Sequence, residues 1–151
     1  MRWTRGRDEV DQLLADGRLE RVSGTAAGGT ALIRSAQALL ASARRENDHN
    51  PEAAYVLAYD AARKAGTGWL AHQGLRPKAT GHHVTVEIAV RAQFDGPFDL
   101  FAEMRRRRAG IGYPQRPGDD VEPAEAERAI EAAVRIVDAA KQLQPQLELY
   151  R

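Results

Sequence analysis

The apolar residues of this chain recur with the spacing of amphipathic helices along most of its length. Between about Gly28 and Arg45, for example, the apolar side chains fall on one stripe of a helical wheel. The same spacing predicts helices over residues 7–16, 28–45, 51–73, 82–94, 98–108 and 122–143. Short connections between long helices favour antiparallel neighbours. We therefore expect an all-α fold, an antiparallel up-and-down bundle of four to five main helices with a short N-terminal helix.

One segment, His82–Phe94, fits two kinds of secondary structure. Residues 83–88 alternate like a strand, whereas Val86, Ala89 and Val90 also lie on one face of a helix. Because the sequence offers no second strand with which it could pair, we expect a helix. We further expect a single domain, in which residues 1–23 form an N-terminal helical extension and residues 24–151 form the bundle.

The composition narrows the possible chemistry. The chain has 151 residues and no cysteine, which excludes disulfides, thiolate zinc sites and a cysteine nucleophile. Its 22 Lys and Arg residues against 21 Asp and Glu residues give a net charge of +1, so overall charge attracts neither nucleic acid nor an anionic membrane. Because we find no leader segment and no long apolar run, we expect a cytoplasmic protein without a membrane partner.

Four consecutive arginines at Arg105–Arg108 form a local concentration of positive charge. A helical wheel of this segment directs Arg105 and Arg108 toward the apolar arc. It directs Arg106 and Arg107 toward solvent. A guanidinium that faces protein is costly unless it is paired or lies at a cleft, so the two inward-facing arginines need an explanation.

Two interpretations of these inward-facing arginines stay open. In the structural one, Arg108 pairs with Asp60 or Glu103, and the run complements the dipole at the C-terminus of its helix. In the functional one, the guanidiniums bind an anion at a cleft. Two glycines and then Tyr113-Pro114 follow the run directly, and this unusual end of the helix favours the functional interpretation.

Five motifs occur in order along nearly the whole chain. They are the stretch Val10–Val22, Asp60-Ala61-Ala62-Arg63-Lys64 on a long helix, Gln73-Gly74-Leu75-Arg76-Pro77, Gly81-His82-His83, and the arginine-rich helix that leads to Tyr113-Pro114. In this order and spacing the chain resembles bacterial HEPN-domain proteins, in particular the actinobacterial group with a Tyr-Pro after its arginines. The resemblance implies a helical bundle that is usually dimeric.

The resemblance also implies a function. Many HEPN proteins are RNA-cleaving toxins or RNA-processing factors, and several are paired with a small nucleotidyltransferase antitoxin. For this chain the resemblance implies an RNA- or nucleotide-binding component of a toxin–antitoxin or defence-type system, with no cofactor. The implied partners are a second copy of the chain, a nucleotidyltransferase antitoxin, and RNA or a nucleotide.

HEPN ribonucleases carry an arginine and, about five residues later, a histidine. In metal-independent cleavage through the 2′-hydroxyl, the arginine stabilises phosphate charge and the histidine transfers protons. Carried over, the arginine is Arg108 and the histidine position is Tyr113; in a second register they are Arg106 and Ile111. A tyrosine, with an ordinary pKa of about 10, is a poor general base. We therefore expect no efficient cleavage, with Arg108 and Tyr113 as catalytic candidates and Arg105, Arg106 and Arg108 as phosphate-binding candidates.

The adjacent histidines His82 and His83 are the remaining candidates for chemistry. Neighbouring side chains on a helix point about 100° apart, so we expect no metal site but a pair at a helix start with one histidine exposed. The alternative function is a non-catalytic helical dimerisation or interaction module with a structural arginine run. An open positive pocket around Arg108 would favour the first function, and an Arg108–Asp60 ion pair would favour the alternative.

Overall fold

Helices make up most of the chain in its computed structural model, which describes residues 4–23, 28–79, 81–94, 96–112 and 118–150. The helices are α1 (Arg7–Ala15), α2 (Thr30–Glu46), α3 (Pro51–His72), α4 (His82–Gln93), α5 (Phe101–Gly112) and α6 (Pro123–Leu143). Two short strands are β1 (Leu19–Arg21) and β2 (Leu75–Pro77), and 3-10 turns occupy Pro97–Leu100 and Gln144–Gln146. The predicted all-α bundle with a short N-terminal helix is confirmed.

Helix α3 packs against α2, α4, α5 and α6. Small residues fill most of its buried positions: Ala54, Ala58, Ala61, Ala62, Ala65, Gly66 and Gly68. The distance between packed helices depends on the side chains at their contact, so these positions let the neighbours approach closely. The bulky exceptions on α3 include Tyr59 and Trp69, which are both fully buried. Helix α3 is therefore the central element of the bundle.

Helix α3 begins at Pro51, as predicted. Asn50 precedes the helix, and its side-chain oxygen accepts a hydrogen bond from the backbone N–H of Ala53 at 3.1 Å. Pro51 occupies the first helical position, where the missing N–H costs nothing. The ambiguous segment after β2 is also a helix, α4, as expected.

The arginine-rich helix α5 differs from the prediction at both ends. Residues Pro97–Leu100 form a 3-10 turn, and α5 then continues past Arg108 to Gly112. The predicted end at Arg108 is wrong, because a glycine such as Gly110 costs a helix only about 1 kcal/mol. Ile111, one residue later, packs against the core and favours continuation.

A two-stranded antiparallel sheet was not expected. Strands β1 and β2 pair with Leu19 opposite Pro77 and Arg21 opposite Leu75, and the two leucines are buried. Each strand has only three residues, which is too short for an alternating pattern to be read from sequence. Together with packing of α1 against α4, this sheet attaches the N-terminal segment to the bundle.

The C-terminal tail also contacts the N-terminal segment. The hydroxyl of Tyr150 donates a hydrogen bond to Asp11 at 2.7 Å, and the guanidiniums of Arg7 and Arg21 each lie 5.4 Å from the centre of its ring. Arg21 also donates to the backbone oxygen of Tyr150 at 2.6 Å. The C-terminal tail is thus fixed to the N-terminal segment.

Within the described residues, no helix is both long and apolar enough to cross a membrane.

The contact between Gly29 and α3 predicts a sharp limit on side-chain size. A Cβ at Gly29 would overlap the carbonyl group of Gly68, whereas a Cβ at Gly110 would meet open space. We expect Gly29→Ala to lower the free energy of unfolding by about 2 kcal/mol, because two backbones must separate. Gly110→Ala, the matched control, should raise it by about 0.5–1 kcal/mol. Urea unfolding followed by circular dichroism measures both; equal effects would contradict this packing.

Candidate functional site

The first of the four arginines is held by a carboxylate on the neighbouring helix. The Nε of Arg105 donates to Glu87 of α4 at 2.5 Å. The side chain of Glu87 is 10% exposed and also lies 3.5 Å from Arg91. Arg105 thus faces protein, as the helical wheel predicts, and its charge is offset by Glu87.

Arg107 is also paired, and its predicted solvent-facing position is wrong. Its side chain is only 19% exposed. Its Nε donates to Glu125 at 2.6 Å, and its Nη1 lies 3.3 Å from Asp119. Both carboxylates come from the segment that leads into α6 and from its first turn, and a helical wheel of α5 alone contains no information about that neighbour. Arg106 is exposed, as predicted.

Arg108 has a different environment. Its Nε is buried and has no hydrogen-bond partner. Neither Asp60 nor Glu103 forms an ion pair with it, and Asp60 instead lies 4.0 Å from Arg63. The Nε of Arg63 is likewise buried without a partner. The structural partner that the sequence suggested for Arg108 is therefore absent from the described part of the chain.

His83 lies at the surface, and Tyr59 of α3 holds its ring in place. The hydroxyl of Tyr59 forms a hydrogen bond with Nδ1 of His83 at 2.8 Å. The two rings stack, with centres 5.7 Å apart and planes 9° apart. Tyr59 is buried against Phe101 of α5, whereas His83 is exposed. One ring nitrogen of His83 is thus fixed to the core, and the other is left for solvent or a ligand.

The neighbouring histidine, His82, contacts α3. Its Nε2 is 3.4 Å from Nη1 of Arg63 and 3.4 Å from the hydroxyl of Thr67. The rings of His82 and His83 are 6.1 Å apart. Helix α4 begins at His82, so the expected pair at a helix start with one exposed histidine is confirmed. We call Tyr59, Asp60, Arg63, His82, His83 and Arg108 the His83 cluster.

Positive charge dominates the electrostatics of the His83 cluster. Burial and the charge of Arg63 lower the pKa of His83; Arg108 and Arg105 lower it further, while Asp60 opposes them. Burial and Arg63 also lower the pKa of His82. Both histidines are therefore neutral at neutral pH. Burial raises the pKa of Tyr59 to about 12, so its phenol stays uncharged as well.

The predicted site residues do not all lie together in the structure. Arg108 belongs to the His83 cluster, Arg105 lies beside it in an ion pair, and Arg106 points away from protein. Tyr113 lies outside the described residues. Sequence reasoning missed Tyr59 and Arg63, although their spacing of four residues on α3 places them on one helix face.

A cleft of about 290 Å³ lies on another face of α5, away from the His83 cluster. Its polar lining consists of Tyr55, Glu103, Arg107, Glu125 and Arg128. Two guanidiniums and two carboxylates balance there, and one of each is already paired. This cleft therefore has no excess charge with which to attract an ion.

The described residues contain no group of three His, Asp or Glu side chains that could hold a metal ion.

Comparisons of the chain with protein-family models, with curated proteins and with solved structures give no match. The geometry of the His83 cluster and the sequence motifs are therefore the features of the chain that bear on its function.

The Glu87–Arg105 pair predicts a loss of stability when its carboxylate is removed. Glu87→Gln keeps the volume but leaves a half-buried guanidinium with a weaker acceptor, so we expect the free energy of unfolding to fall by about 2 kcal/mol. Glu103→Gln changes an exposed carboxylate on α5 and should have an effect within about 0.5 kcal/mol. Urea unfolding distinguishes the two. Similar small effects would mean that the pair contributes little.

The lowered pKa values of His82 and His83 predict a pH dependence of stability. In the unfolded chain a histidine titrates near pH 6.5, above its value in the fold, so protonation favours the unfolded chain. The free energy of unfolding should fall as the pH drops from about 7 through the unfolded pKa toward the lowered folded values. The decrease should be smaller in His83→Gln and unchanged in His49→Gln, which alters an exposed turn residue. Equal slopes in all three proteins would contradict the assigned cause.

Proposed function

We propose that this chain is a HEPN-like protein that binds RNA or a nucleotide through the His83 cluster, as a component of a toxin–antitoxin or defence-type system. The observation that carries the proposal is the buried Nε of Arg108, which has no acceptor in the described chain. A buried donor without an acceptor costs about 1–3 kcal/mol, and more when it is charged. Arg108 is only partly buried as a residue, and an external anion at its accessible part would supply an acceptor for the guanidinium.

Phosphate is the anion that suits this cluster best. Guanidiniums bind phosphate with paired N–H donors and keep their charge at any physiological pH, and the cluster offers those of Arg63 and Arg108. The exposed ring of His83 is stacked on Tyr59 by one face. Because this ring is exposed, it offers a surface for a base; unpaired RNA bases commonly stack on aromatic side chains. A phosphate donor set beside a stacking surface supports a nucleotide or single-stranded RNA.

The proposal concerns binding without efficient cleavage. The motif that the resemblance suggests has Tyr113 where HEPN ribonucleases have their histidine. A phenol is a weak base at neutral pH. The role proposed for Arg108 is to hold phosphate, with Arg105 and Arg106 contributing positive charge nearby. Tyr113 would extend the contact to RNA by stacking or by donating a hydrogen bond.

The resemblance also supports the proposed partners. A second copy of the chain would bring another Arg105 and Arg108 to a shared cleft, and a small nucleotidyltransferase would act as antitoxin. The net charge of +1 is consistent with a local phosphate site, because a protein that binds nucleic acid over a broad surface has a large excess of basic residues.

A second candidate function is a non-catalytic helical dimerisation or interaction module. It is favoured by Arg105 and Arg107, which both form ion pairs inside the chain. In that case the arginine run serves the fold. Removing the Arg108 guanidinium would then alter stability or self-association and leave any affinity for RNA unchanged.

Binding of a fluorescent single-stranded RNA, measured by anisotropy, tests the proposed function. Arg108→Ala and Arg63→Ala should each weaken binding about tenfold or more, because a charged hydrogen bond contributes about 1.5–3 kcal/mol. Arg135→Ala removes an exposed arginine of α6 and is the matched control. Each loss should be larger at low salt, where phosphate contacts are strongest.

One result would overturn the proposal, and a second would overturn its claim of binding without efficient cleavage. Unchanged RNA and nucleotide affinity in Arg108→Ala, together with altered sedimentation, would favour the interaction module. Efficient cleavage of the RNA by the unmodified chain, abolished by Arg108→Ala, would show that binding is only part of the function. Circular dichroism of each variant separates loss of binding from loss of folding.

A further inference from the structure

Potential phosphate donors in the His83 cluster come from three helices. Helix α3 contributes Arg63, α4 contributes His83, and α5 contributes Arg108. Arg63 contacts His82, the neighbour of His83, at 3.4 Å. Both Arg63 and Arg108 act on His83 electrostatically. Arg63 and Arg108 are thus close enough to His83 to act on it electrostatically, and His83 is the exposed member of the three.

The charges that face His83 can be counted helix by helix. Helix α3 presents Tyr59, Asp60 and Arg63; α4 presents His82 and also carries Glu87; α5 presents Arg105 and Arg108. Glu87 is shared by Arg105 and by Arg91 of its own helix. Within the His83 cluster itself, two guanidiniums against one carboxylate leave one positive charge while both histidines are neutral. Protonation of His83 raises this excess to two.

A terminal phosphate matches this arrangement better than an internal one. A phosphomonoester has three unesterified oxygens and a charge between about −1.5 and −2 at pH 7. An internal phosphodiester has two such oxygens and a single charge. The three donors and the two positive charges of the protonated cluster therefore correspond to a phosphorylated end.

Tyr59 lets His83 change its protonation state without moving. Its phenol can donate to a neutral Nδ1 or accept from a protonated one, and burial raises its own pKa to about 12. In the free chain the neighbouring guanidiniums disfavour a proton on His83. A bound dianion reverses that field and favours the proton, so binding and protonation reinforce each other.

We infer that the His83 cluster binds a phosphomonoester group, as on a phosphorylated RNA end or a free nucleotide, in preference to an internal phosphodiester, and that His83 takes up a proton on binding. This inference rests on the proposed function and specifies its ligand. The coupling makes affinity increase as the pH falls through the interval between the free and bound titrations of His83.

Paired RNAs that differ only at one end test this inference. A short RNA with a 5′-phosphate should bind about tenfold more tightly than the same sequence with a 5′-hydroxyl, and the difference should shrink at least threefold in His83→Gln. Gln keeps a polar contact with Tyr59 but cannot take up the proton. Arg135→Ala should retain the full difference.

Calorimetry in two buffers with different ionisation enthalpies measures how many protons the complex takes up on binding. With the 5′-phosphorylated RNA near pH 7, we expect net proton uptake by the unmodified chain and none by His83→Gln. NMR titration of His83 with inorganic phosphate should show its pKa rising as phosphate is added. A downward movement, or none, would overturn the coupling.

The possible outcomes distinguish a failure of this inference from a failure of the proposed function. Equal affinity for both RNAs, still dependent on Arg108, would overturn the preference for a phosphorylated end and leave RNA binding intact. No binding of either RNA or of a mononucleotide would overturn both. Competition by a mononucleotide as strong as by the phosphorylated RNA would identify a free nucleotide as the source of the phosphate. Weaker competition would identify an RNA end.

Discussion

Helix α3 can touch four other helices because alanine and glycine occupy most of its buried positions. This close approach is the constraint on which the rest of the structure depends. At Tyr59, α3 instead presents an aromatic ring, which packs against His83 of α4 and Phe101 of α5. The His83 cluster includes this ring, so the same helix that closes the core also positions the candidate site.

The arginines of α5 show how unequal four consecutive identical residues become in a fold. Arg105 forms an ion pair with a carboxylate of α4, and Arg107 forms one with a carboxylate in the first turn of α6. Arg106 is exposed to solvent. Arg108 alone combines a buried Nε with the absence of an acceptor among the described residues. Such an arrangement reduces stability unless a ligand or a water molecule supplies the acceptor.

The helices and the fold class could be predicted from sequence because helical spacing and caps such as Asn50 are local properties. The two-stranded sheet could not, since its strands are short and lie more than fifty residues apart. The partners of Arg107 and the approach of His83 to Arg108 were equally inaccessible. Both depend on which helices become neighbours, and a wheel of one helix does not contain that information. Arg108 was selected correctly as a residue without a solvated environment, but the histidine beside it comes from a different helix, at a place that no motif on α5 could indicate.

Stability and the proposed binding are linked through the same cations. Arg63 and Arg108 lower the pKa of His83, which makes the free fold sensitive to acid because the unfolded chain binds that proton more readily. An anion in the cluster would satisfy the guanidiniums and at the same time remove the penalty for protonating His83. A ligand that binds only the folded chain stabilises it in proportion to the logarithm of its concentration over the dissociation constant. For the proposed ligand this stabilisation would grow toward acid pH, where the free fold is weakest. The residues whose charges disfavour protonation of His83 are thus the ones through which the proposed phosphate would stabilise the fold.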